Sequence, residues 1–261
     1  MSQGGRRRRQ AGAVLAAGVL VVALLLAGCS SDGEDQLTVA AASSLRPAFG
    51  DPGEGDPGGG PVRFTFGGSD LLAGQIRQGA GIDVIAAAST IQPDQLFEDG
   101  LVERPVEFAG NRLVVGVPDD SAIDSVEDIA GPGVSVVVGD ASVPIGIYAR
   151  EMISMLPAAT AEKVRANVRS QEQDATSITA KLTQGAADAG IVYETDVESA
   201  SGQLRAVGIP ERLQPRIAYS AAVVSDSDQK QRATDFIESL LDGERAAELE
   251  AAGLLPPPGA Q

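Results

Sequence analysis

Apolar residues along this chain fall into two patterns: short continuous runs bounded by turn residues, and stretches where they return at helical spacing. Runs of about four to eight residues rich in valine, isoleucine and alanine read as buried strands. Residues 37–41, 62–66, 83–88, 112–117, 134–138, 189–193 and 217–224 are of this kind. Between them, Leu71, Leu72 and Ile76 share a helical face ahead of Gly79, Pro93 opens a turn-rich helix that Gly100 closes, and Ser125-Val126-Glu127-Asp128 resembles a capping box. Helical spacing also marks 147–156, 161–168, 178–183 and 227–241. Strands alternating with helices predict an α/β fold.

Two apolar runs, Leu113-Val114-Val115-Gly116-Val117-Pro118 and Ala218-Tyr219-Ser220-Ala221-Ala222-Val223-Val224, are placed to pass twice between two lobes. The expected division is 37–115 with 221–261 in one lobe and 116–220 in the other, joined by two crossover segments. Their cleft would face the carboxyl ends of the strands, where open α/β sheets bind ligands. Residues 51–60, with glycine or proline at seven of ten positions, are expected to form a mobile acidic loop without regular structure.

The amino terminus changes where this domain works. Arg6 to Arg9 form a basic region, 11–26 an apolar one, and Leu26-Ala27-Gly28-Cys29 matches the box after which a bacterial signal is cleaved and the cysteine acylated. Residues 1–28 therefore read as a lipoprotein signal peptide, 29–36 as a lipidated linker and Cys29 as the lipid anchor on the extracytoplasmic face of the cell membrane. An uncleaved membrane anchor is the alternative. Cys29 is the sole cysteine, so the fold is held without intrachain disulfides.

Cleavage removes four arginines and no acids, taking the net charge from −16 to −20. Such a surface repels nucleic acid and anionic lipid. It does not exclude an anionic ligand, because exposed charges beyond about 8 Å are screened at physiological salt while N–H dipoles at contact are not. Histidine is absent, which removes the usual general base and the commonest metal ligand. Catalysis is short of tools.

Four junctions stand where helices begin: Ala42-Ser43-Ser44-Leu45, Gly67-Gly68-Ser69-Asp70, Val143-Pro144-Ile145-Gly146 and Gln173-Asp174-Ala175-Thr176. A helix start carries unsatisfied N–H groups and a positive dipole end. Several of them converging bind an oxyanion without a charged side chain.

These residues resemble a family. Residues 37–45, Gly68-Ser69 with Leu72-Ala73 and Gln75-Ile76, Asp83-Val84, Gly139-Asp140 with Val143-Pro144 and Gly146-Ile147-Tyr148-Ala149, and Gly190-Ile191-Val192-Tyr193 are similar to the molybdate-binding proteins of ABC importers. The resemblance covers nearly the whole chain after the signal and implies a two-lobed type II periplasmic-binding fold that closes on a tetrahedral dianion. Carried over by residue, it makes Ser44 and Ser69 hydroxyl and N–H donors, Ile145 and Ala175 backbone N–H donors, and Tyr193 a phenolic donor. No cofactor or direct metal ligand is implied; molybdate or tungstate is the ligand, an ABC permease the partner, and the receptor a monomer. Molybdate carries no proton near neutral pH, so its site needs donors alone.

Each residue also has an ordinary reading. Ser44, Ser69 and Asp174 are good N-caps in any α/β protein, and Tyr193 is a plausible core tyrosine. Asp70, where the family commonly has a small hydroxyl residue, either points away and caps its own helix or accepts a proton from the ligand, which would favour hydrogen phosphate. The 51–60 loop replaces most of the helix expected after Ser44. The reading is thus a lipid-anchored molybdate receptor, with a phosphate or sulfate receptor, an enzyme on the same fold and a ligand-free surface lipoprotein as rivals.

Overall fold

A computed structural model describes residues 36–50, 55–56 and 60–259. The signal peptide, Cys29, residues 29–35 and most of the glycine-rich loop lie outside the described residues. From Leu37 onward the chain forms one compact unit.

Its strands are β1 (Leu37–Ala42), β2 (Gly55–Asp56), β3 (Gly60–Gly67), β4 (Val84–Ala87), β5 (Val106–Gly110), β6 (Leu113–Pro118), β7 (Val136–Gly139), β8 (Val168–Glu172), β9 (Ala189–Tyr193), β10 (Leu204–Gly208) and β11 (Ala218–Val223). They assemble into two sheets, β2-β3-β1-β4-β11-β5 and β10-β6-β9-β7-β8. In the first, β1 runs parallel to β3 and β4, and β11 antiparallel to β4 and β5. In the second, β7 runs parallel to β8 and β9, and β6 antiparallel to β9 and β10. Central strands β1, β4, β7, β9 and β11 are buried along their whole length, as strands covered by helices on both faces must be. Their apolar composition follows from that burial.

The chain passes from the first sheet to the second at 111–112, between β5 and β6, and returns between β10 and β11 through a short helical turn at Glu211–Leu213. The two apolar runs expected to cross do not: 113–118 lies wholly in the second sheet, and 218–223 in the first. A crossing segment belongs to neither ladder, whereas each of these runs is paired within one sheet. Two further expectations are corrected. Residues 125–128 open no α-helix; Asp128 Oδ2 accepts the N–H groups of Asp124 (3.1 Å) and Ser125 (2.9 Å), folding a turn that leads into a single 3-10 turn, Asp128–Ala130. Within the loop expected to be wholly irregular, Gly55–Asp56 pairs antiparallel with Gly60–Pro61.

After β1, the chain makes only a 3-10 turn, Ser43–Leu45, and a four-residue helix, Arg46–Phe49. The C-terminal helices Lys230–Leu241 and Glu244–Ala251 pack back onto this region; the Phe49 and Phe64 rings stack at 5.1 Å, with Phe236 edge-on to Phe49 at 6.0 Å.

Candidate functional site

Strands β1, β3, β7, β8 and β9 each deliver their carboxyl end to one cavity of about 20 Å³. The structure brings Ser44, Ser69, Ile145, Ala175 and Tyr193 together in its lining, from both sheets. Pockets for organic ligands run to about 300–1,000 Å³, so this one is scaled to a small ion.

Local chemistry explains each position. Gly68 stands in extended conformation as the N-cap of the helix Ser69–Arg77, which leaves Ser69 at its first position. At the end of β7, the Asp140 carboxylate accepts the Ser142 N–H (3.0 Å) and Oγ–H (2.8 Å), which hold it below the usual carboxylate range and shape the turn before Pro144. Pro144 and Ile145 open the helix Pro144–Met155. Gly146 is required there, since a Cβ on it would stand 1.7 Å from the Asp140 carbonyl oxygen. Asp174 caps the helix Ala175–Thr183 by accepting the Ser177 N–H at 2.7 Å, as its N-cap reading required. The N–H groups of Ser69, Ile145 and Ala175 lie in the first turns of their helices, where no intrahelical acceptor exists.

The hydroxyls differ in their protein partners. Ser69 Oγ is buried and accepts the Ala88 N–H at 3.1 Å, so its own proton is free to point elsewhere. Ser44 Oγ, also buried, lies 3.0 Å from Tyr219 Oη. Neither serine caps a helix with its side chain. Tyr193 is 1 % exposed, and its Oη has no hydrogen-bond partner among the described residues. Burial pushes its pKa well up, so it stays a neutral donor at any physiological pH. An unpaired buried hydroxyl costs about 1–3 kcal/mol, which a plain core tyrosine would avoid by turning outward.

Asp70 lies outside the cavity lining, and no side-chain bond caps its helix. Three residues of the surroundings carried no pattern in the sequence: Asn111, Tyr219 and Asp196. Asp196 is buried behind Tyr193, whose N–H it accepts at 3.1 Å; burial, with Asp174 adding to it, raises its carboxyl to about 7. Among the described residues, no group of three or more Asp, Glu, Cys or His side chains stands close enough to hold a metal ion.

Two α/β sheets that meet across a small donor-lined cavity define a two-lobed solute-binding protein. The chain belongs to the bacterial extracellular solute-binding protein family, whose model matches residues 37–255. The molybdate-binding protein ModA of Mycobacterium tuberculosis is 33% identical over 233 residues, 87% of each chain. Among solved structures, the periplasmic molybdate-binding protein of Azotobacter vinelandii superposes with a TM-score of 0.72 at 19% identity, covering 85% of this chain and 99% of that one. The sulfate-binding protein SubI of M. tuberculosis gives 0.71 at 18% identity, covering 87% and 88%. At these identities the two structures speak for the fold.

Proposed function

We propose that the protein is a lipid-anchored, monomeric receptor that captures molybdate, and tungstate with it, outside the cytoplasm and passes the ion to an ABC permease. The observation that supports this reading is that Ser44, Ser69, Ile145, Ala175 and Tyr193 all line one ion-sized cavity, the first two and Tyr193 with hydroxyls to offer and Ile145 and Ala175 with first-turn N–H groups. Every one of these groups is neutral. A fully deprotonated tetrahedral dianion needs donors only, and charge-assisted bonds to it are about twice as strong as neutral ones. The 33% identity to a molybdate-binding relative across most of both chains supports the same ligand.

Hydrogen phosphate needs an acceptor, and the residue that would have offered one, Asp70, stands outside the lining. Asp174 also lines the cavity, and its Oδ1 caps its own helix by accepting the Ser177 N–H at 2.7 Å. The lobes of this receptor follow sheet membership, 37–110 with 218–255 against 113–208. Residues 1–28 act as the signal and Cys29 carries the lipid, which keeps the receptor beside its permease. Thermal melts test the ligand class: at 100 times the dissociation constant, a ligand specific to the folded state adds about 2.7 kcal/mol. Molybdate and tungstate should raise the melting temperature at concentrations where phosphate does not; a rise with phosphate alone would refute the assignment.

A further inference from the structure

Resting on that reading, we infer that Asn111 and Tyr219 are positioning residues that hold the Ser44 hydroxyl as a donor into the cavity, and that this relay discriminates against protonated oxyanions. Proton positions along it follow from one fixed point. The Arg112 N–H donates to Asn111 Oδ1 at 2.8 Å, which identifies the other amide atom as nitrogen. Asn111 Nδ2 then donates one hydrogen to Tyr219 Oη at 3.1 Å and the other to Thr195 Oγ1 at 3.0 Å. Tyr219 Oη, already accepting, sends its proton to Ser44 Oγ at 3.0 Å. Ser44 Oγ is thereby made an acceptor on its protein side, and its own proton is left for the cavity it lines.

All four side chains are buried, from 0% exposure at Tyr219 to 7% at Asn111, so water does not compete for these bonds. Burial also drives the Tyr219 pKa far up, and the hydroxyl keeps the proton the relay needs. The relay draws on both lobes: Asn111 sits on the crossing peptide, Thr195 follows β9 in the second, and Tyr219 and Ser44 belong to the first. An oxyanion that carries a proton meets a donor at Ser44 and leaves its own O–H without a partner there. Unpaired polar groups in a closed site reject ligands strongly.

The test is calorimetric titration of the mature chain and its variants with molybdate and with inorganic phosphate near neutral pH. Tyr219→Phe keeps the ring and deletes the proton given to Ser44, which frees Ser44 to accept. It should weaken molybdate binding about tenfold and narrow the molybdate-to-phosphate ratio by more than that. In a Ser44→Ala background, Tyr219→Phe should have no further effect on molybdate, because the relay then ends on nothing. A purely structural Tyr219 would instead give additive losses and an unchanged ratio, and either result overturns the relay while the receptor reading stands. A wild-type chain that binds neither anion overturns both. If Tyr219→Phe does not fold, Asn111→Ala, which releases the Tyr219 proton from its constraint, must narrow the ratio in the same direction or the relay is wrong.

Discussion

Tyr193 of β9 packs against Tyr219 of β11 with ring centroids 6.0 Å apart and planes inclined at 56°, so the two sheets meet through a pair of buried tyrosines beside the cavity. Their hydroxyls differ. That of Tyr219 is bonded to Asn111 and Ser44, while that of Tyr193 has no protein partner among the described residues.

Tyr193→Phe should therefore separate binding from stability. Removing an unsatisfied hydroxyl leaves the ligand-free protein as stable as before, or more stable by up to about 1 kcal/mol, while molybdate affinity falls by about 1.5–3 kcal/mol, the range for a bond to a charged partner. Melting and titration of the same sample check it; a destabilised variant with unchanged affinity would return Tyr193 to the core.

Ser69→Ala should cost both. Its Oγ accepts the buried Ala88 N–H, so the substitution orphans a backbone donor as well as deleting a ligand donor. The expected loss is about 1–3 kcal/mol in the ligand-free protein on top of the binding loss. Chemical denaturation without ligand checks the first part, and an unchanged midpoint contradicts it.

Two glycine substitutions should have opposite signs. Gly146→Ala places a Cβ 1.7 Å from the Asp140 carbonyl oxygen, against backbone that cannot give way, and should destabilise by several kcal/mol or prevent folding. Gly74→Ala, inside the helix Ser69–Arg77 with nothing within 4 Å of the new Cβ, should stabilise by about 0.5–1 kcal/mol. Denaturation midpoints of the two variants decide.

Much of this was legible in the sequence, and the misses share a cause. The strands found from apolar runs are mostly interior ones, β1, β4, β7, β9 and β11, where burial on both faces demands continuous valine, isoleucine and alanine. The strands missed, β2, β5, β8 and β10, are all sheet edges. Val168-Arg169-Ser170-Gln171-Glu172 shows why: alternately half-buried and exposed, it has no apolar run, and its first residue continues the spacing of the preceding helix. At the site, helix starts were readable because glycine, proline and hydroxyl residues mark them locally. Asn111, Tyr219 and Asp196 were not, because their roles come from contacts spanning up to 175 residues of chain, as between Ser44 and Tyr219.

Asp196 makes stability depend on pH. Its carboxyl is raised by burial from the ordinary carboxylate range to about 7 in the folded state, so the folded protein holds a proton that the unfolded chain has released. Stability from this group is complete below about 4 and is lost as pH rises through about 7. Asp128, Asp140 and Asp188, whose pKa values are lowered by their serine hydrogen bonds, act in the opposite sense and only below the ordinary carboxylate range. Melting temperature should therefore fall as pH rises from about 4 to about 7, and Asp196→Asn, whose amide oxygen still accepts the Tyr193 N–H, should flatten that slope. A variant with the wild-type slope would place the titration elsewhere.

The central claim is that five neutral donors in one cavity select a tetrahedral dianion that needs no acceptor. Calorimetric titration of the mature protein with molybdate, tungstate, sulfate and phosphate tests it most directly. One site per chain is expected, with molybdate and tungstate bound most tightly and phosphate most weakly. Phosphate bound more tightly than molybdate, or no heat with any of the four, would contradict it.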